Sequence, residues 1–120
     1  MDKILIDEIP QYCKESLVGI RDLQDLVSGK WKVRIISTLF YVGKLRFMVL
    51  LRHMDGIAPK VLSKELKDME MNHLVKRIVC NTKPITVEYE LTDLGKSFSQ
   101  VLNTMAEWGI AYRKTVIKKI

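Results

Sequence analysis

Lys60, Ser63, Lys64 and Lys67 follow one another at helical steps within the segment Ile57 to Glu70, and each side chain ends in a hydrogen-bond donor. At about 100° per residue these four share one face, while Val61, Leu62, Glu65, Leu66 and Met69 share the other. Ammonium groups held this close repel one another in an isolated helix, and a polyanion that neutralises them is the natural partner. The chemistry of such a face is recognition: lysine and serine donate to phosphate oxygens and base edges without making or breaking a covalent bond. A lysine face that meets only water is the plainer alternative, and the rest of the chain has to decide between the two.

Further cations stand where they can add to that face. Lys30 and Lys32 flank Trp31, Arg46 precedes Phe47, and Lys83 lies in the turn-forming run Asn81-Thr82-Lys83-Pro84. Residues 30–83 hold twelve lysines and arginines against four acids, an excess of eight, so the flanks of this +6 chain together carry a deficit of two. The positive charge gathers around the candidate reading helix, which is the electrostatic footprint expected of a nucleic-acid-binding protein.

Other reactive side chains assemble no site. His53, His73 and Cys80 show no metal-ligand spacing, so neither a metal nor a cofactor is expected. Glu88 and Glu90 face one way on an extended run, but no nucleophile, base and orienting partner can be grouped around them, and an enzyme is not expected. Two cysteines, Cys13 and Cys80, are too few and too far apart for a disulfide scaffold. Cys80 reads as an inert thiol on a strand, and Cys13 as a candidate redox sensor provided that it is exposed and its pKa is depressed.

The elements that position these residues follow from periodicity. A helix is predicted over Tyr12 to Val27, with Leu17, Ile20, Leu23 and Val27 on one face and Ser28-Gly29 closing it. A second starts near Lys30 and carries Trp31, Ile35 and Leu39 to a stop at Gly43; a third runs from Arg46 to Met54 and ends at Asp55-Gly56. The lysine-faced helix comes next. From Val75 the pattern becomes extended, and Ile85, Val87, Tyr89 and Leu91 alternate with Thr86, Glu88 and Glu90, so 75–91 reads as an antiparallel hairpin with Lys83 at its tip. Thr92 then caps a last helix, spanning about 92–118, with Leu94, Phe98, Val101, Met105, Trp108 and Tyr112 at steps of three and four.

The predicted class is therefore mainly α with a small antiparallel β-hairpin (α+β), in the order of a winged helix-turn-helix: supporting helices, a reading helix for the major groove, and a ribbon with a basic tip. A chain of 120 residues is expected to form one compact unit. No apolar run reaches membrane-span length and Met1 to Glu8 lacks a signal-peptide pattern, so a cytoplasmic protein with no membrane partner is expected. Apolar residues continue to Val116 and Ile117, farther than so small a core can cover. A homodimer built from helices at about 11–27 and 92–118 is expected, with Leu17, Met105, Trp108, Tyr112 and Val116 in the seam.

Five ordered motifs carry a family likeness: Gly29-Lys30-Trp31-Lys32, Arg46-Phe47, Ile57 to Leu66 (IAPKVLSKEL), Val87 to Gly95 (VEYELTDLG) and Trp108-Gly109. Across roughly residues 25–112 the chain resembles HxlR-type transcriptional regulators of bacteria and archaea. The resemblance implies a winged helix-turn-helix that works as a homodimer on double-stranded DNA. It departs from the family pattern at Met48-Val49, where a polar pair is common, and at Cys13, which lies farther upstream than the cysteine by which some members sense electrophiles or oxidants. The expectation is a sequence-specific transcription regulator on a palindromic operator, its effector unspecified. Its rivals are a winged helix docking an acidic protein through the lysine face and a thiol-based sensor using Cys13.

Overall fold

Residues 10–117 are described in the computed structural model, so the reading of Met1 to Glu8 and the last three positions of the chain lie outside the described residues. Among the described residues the chain divides into two compact units, the first ending at Lys30 and the second beginning at Trp31. In the first unit the described residues form helix α1 (Gln11–Leu26), which buries none of its side chains. Its apolar residues Leu17, Val18 and Ile20 are all exposed.

The second unit follows the order α2 (Lys32–Val42), β1 (Leu45–Arg46), α3 (Phe47–His53), α4 (Pro59–Met71), β2 (Val75–Cys80), β3 (Thr86–Leu91), α5 (Asp93–Ser97), α6 (Ser99–Tyr112) and a closing π-helical turn, Arg113–Ile117. Ile35, Ile36 and Leu39 of α2, Leu50 of α3, and Leu62, Leu66 and Met69 of α4 converge in the core with Leu74, just before β2, and with Val75, Tyr89 and Leu91 from the sheet. Each such aliphatic side chain contributes roughly 1.5–3 kcal/mol by leaving water. Phe47 packs its ring 6.4 Å from that of Tyr89 and seats α3 on β3.

The hairpin forms as its alternation predicts, with Val75 opposite Leu91 and Cys80 opposite Thr86. The sheet, however, has three strands in the order β1-β3-β2, because Leu45 and Arg46 pair with Tyr89 and Glu88 along the free edge of β3. The third helix accordingly begins at Phe47, after an extended Arg46, and not at Arg46 itself. Two residues are too few to show a period, and this strand exists only because a partner edge lies beside it. Gly43, at φ 98°, turns the chain out of α2 in a conformation that a β-carbon would penalise.

The last predicted helix is also interrupted. Phe98 closes α5 and opens α6, its N–H donating to Gly95 O at 3.2 Å while its own carbonyl accepts from Leu102 at 3.0 Å. Thr92 is the cap that its type suggested: its hydroxyl accepts from Gly95 N at 3.0 Å and donates to His73 O at 2.6 Å. Gly95 is buried at this junction, where an added β-carbon would strike the carbonyl oxygen of Leu74 and lie 3.2 Å from Leu91 Cδ2. Glycine is what lets α5 approach the base of the hairpin so closely.

Candidate nucleic-acid interface

Helix α4 starts where local chemistry lets it. Gly56 turns, Ala58 is extended as the residue before a proline should be, and Pro59 occupies the first helical position, where its missing N–H costs nothing. Leu62, Leu66 and Met69 are completely buried and fix the rotation of the helix about its axis. That rotation leaves Lys60, Ser63, Lys64 and Lys67 exposed together on the opposite side. Val61 is more exposed than the face reading suggests, and Glu65 keeps about a fifth of its side chain exposed, because the buried stripe is the narrow one through positions 62, 66 and 69.

Arg46 is exposed at the entry to α3, and Lys83 is exposed in the turn between β2 and β3, where Thr82 Oγ1 donates to Pro84 O at 2.7 Å and steadies the loop. Lys30 is exposed at the end of the first unit.

Lys32 does not join this set. Its ammonium is buried on α2, 2.7 Å from Glu65 Oε2 and 3.2 Å from Asp68 Oδ2 on α4. Burial works to lower its pKa, but the hydrogen bonds and charges of the two carboxylates outweigh burial and hold the ammonium above its ordinary value. Two of its three donors are so engaged, and its burial keeps the ammonium from a phosphate. Its role is to tie α2 to the reading helix and to neutralise two acids on it. The sequence signal was present, since Glu65 and Asp68 lie one turn apart, but nothing local pairs them with a residue 33 positions away.

Arg52 is the cation that sequence reasoning missed. It stands one turn after Met48 on the exposed side of α3, its Nε donating to Met48 O at 3.3 Å. With Arg46, Ser63 and β3 it borders a cleft of about 570 Å³.

The remaining reactive side chains are placed as follows. Both cysteines are free and half-buried. Cys80 donates its thiol hydrogen to Glu88 Oε1 at 3.0 Å; that bond, aided by burial, pushes its pKa up and disfavours the thiolate. His53 and His73 are exposed, and among the described residues no three His, Cys, Asp or Glu side chains come together to hold a metal. Met105, Trp108, Tyr112 and Val116 are all exposed on α6 and its π-helical extension, with the Trp108 and Tyr112 rings stacked at 5.3 Å. Among the described residues no helix is long and apolar enough to cross a membrane.

A cationic helix presented by a helix-turn-helix, beside a ribbon with a basic tip, is the architecture of DNA-binding transcription regulators. The chain belongs to the HxlR-like helix-turn-helix family, whose model matches residues 26–116. It is similar to the HTH-type transcriptional regulator YdzF of Bacillus subtilis (strain 168), with 33% identity over 99 residues that cover 82% of this chain and 91% of that protein. Among solved structures it resembles the HTH-type regulator YtcD of the same organism, with a TM-score of 0.72, 34% identity and coverage of 78% of this chain and 94% of the other. The redox regulator HypR in its reduced form is equally similar in fold, with a TM-score of 0.72, 31% identity and coverage of 84% and 99%. The protein is thus a winged helix-turn-helix transcription regulator that binds DNA, and its relatives are regulators, not enzymes.

Proposed function

We propose that this regulator acts as a homodimer, each copy laying α4 in the major groove of one half-site of a palindromic operator. The observation that carries the reading is the exposed set Lys60, Ser63, Lys64 and Lys67 on a helix whose opposite stripe is completely buried. Arg46 and Lys83 would add phosphate contacts around it, and Ser63 and Lys64 would reach base edges. Lysine lacks the fixed fork of arginine, so most of the affinity comes from phosphates and falls steeply with salt. Dimerisation is supported by the apolar side chains left uncovered along α6 and its π-helical extension, Trp108 with 68% and Val116 with 59% of its surface exposed. A two-fold dimer places its half-sites one helical turn, about 10 base pairs, or a multiple of it apart.

Selection of bound fragments from genomic DNA, followed by anisotropy titration over a range of salt concentrations, tests the reading. A palindromic consensus and a steep salt dependence are expected, with sedimentation giving a dimer. Tight, salt-dependent binding to an acidic protein but to no duplex would instead favour the protein-docking rival.

A second reading adds thiol sensing at Cys13. What supports it is the likeness to HypR, described as a redox regulator, together with the partial exposure of Cys13. Loss of DNA binding under diamide in the wild type but not in Cys13→Ser would carry it, and equal responses would remove it.

A further inference from the structure

The cleft beside the reading helix has a lining that phosphate contacts alone do not account for. Two cations, Arg46 and Arg52, line it, and no acid is among its described lining residues. Arg52 holds one turn of α3 through its Nε, a bond that does not use the outer N–H groups of the guanidinium. The apolar part of the lining comes from Phe47, Met48 and Val49 in the first turn of α3 and from Ile85 and Val87 of the wing, with Ser63 and Thr86 among the polar residues. Met48 and Ile85 are exposed over 59% and 67% of their surface, an uncovered apolar area with no counterpart in a backbone phosphate. The volume, about 570 Å³, lies within the range of small-molecule sites, which combine apolar walls with a few placed polar groups.

We propose that this cleft binds a small carboxylic acid with an aromatic or branched aliphatic body of roughly ten to twenty non-hydrogen atoms. Its carboxylate accepts from Arg52 and Arg46, and its body lies between Met48, Val49 and Ile85. Such an anion excludes the duplex, because Arg46 and Ser63 line the same cleft. By linkage, the apparent dissociation constant for DNA rises by the factor one plus ligand concentration over ligand dissociation constant. The binding step stands by itself; the competition rests on the DNA contacts proposed above.

The test titrates the full chain, without DNA, against 2-naphthoate, 4-isopropylbenzoate and octanoate, with the matching amides as neutral controls. At least one carboxylate is expected to bind with a dissociation constant below about 1 mM and at least about tenfold more tightly than its amide. Arg52→Gln and Ile85→Ser, both at exposed positions, should each weaken that binding about tenfold while circular dichroism stays unchanged. Failure of all three acids to bind, or binding that neither variant weakens, overturns the site. In a parallel anisotropy titration, added carboxylate should raise the dissociation constant for duplex DNA. A chain that binds the acid but no duplex keeps the site and refutes the DNA reading; one that binds duplex but no acid does the reverse.

Discussion

Lys32 on α2 and Glu65 on α4 are joined at 2.7 Å, with Asp68 completing the cluster at 3.2 Å. The pair spans the two helices whose relative placement sets the angle of the reading face. It also compensates two acids of α4, so that positive charge dominates the exposed side of that helix. Removing the ammonium leaves Glu65, four-fifths buried at its side chain, without its partner. Lys32→Met is expected to destabilise the chain by about 2 kcal/mol in urea unfolding. The pair Lys32→Met with Glu65→Leu should recover much of that loss, because an apolar pair needs no compensation for desolvated charge.

The same cluster predicts a pH dependence. The folded-state pKa of Lys32 is raised, so its stabilisation is fully present below the ordinary value of 10.5 and is lost as the pH rises through the higher folded value. The stability difference between wild type and Lys32→Met should stay level from about pH 7 to pH 10 and close only above that. A difference that closed below about pH 9, followed by chemical unfolding, would contradict the assigned cause.

DNA titrations should separate direct phosphate neutralisation from positioning. Lys64→Gln or Lys67→Gln is expected to flatten the plot of log affinity against log salt by about 0.9 for each phosphate that is no longer neutralised. Lys64→Glu should abolish operator binding without changing the sedimentation of the protein. Lys32→Met should weaken binding several-fold while leaving the salt slope alone, since it touches no phosphate.

Gly95→Ala puts a β-carbon onto the carbonyl of Leu74. That carbonyl cannot withdraw cheaply, because it accepts the N–H of Thr92 at 3.1 Å, and Thr92 also holds His73 at 2.6 Å. A loss of about 1–3 kcal/mol is expected by thermal unfolding. A neutral effect would show that α5 can shift away from the hairpin.

Trp108→Glu tests the proposed dimer. Trp108 is largely exposed and stacked on Tyr112, so a charge there should leave the fold intact. Sedimentation equilibrium is expected to give a monomer for the variant and a dimer for the wild type at micromolar concentration; two identical profiles would place the seam elsewhere.

The sequence by itself determined whatever depends on local periodicity. The two faces of α4 follow from a 3.6-residue repeat that Leu62, Leu66 and Met69 keep without exception, and the hairpin follows from the alternation of residues 85–91. Thr92 was legible as a cap because its hydroxyl acts on an N–H three residues away. Tertiary structure alone decided the rest. Lys32 has the same charge and helical context as any groove-facing lysine, and only the approach of α2 to α4 spends its ammonium on Glu65 and Asp68. Strand β1, too short to have a period, was decided by the free edge of β3, and the break at Phe98 left no mark in the helical spacing of residues 92–112. The cleft between Arg52 and Ile85 belongs to no segment of the sequence, since its walls come from elements more than thirty residues apart that meet only on folding.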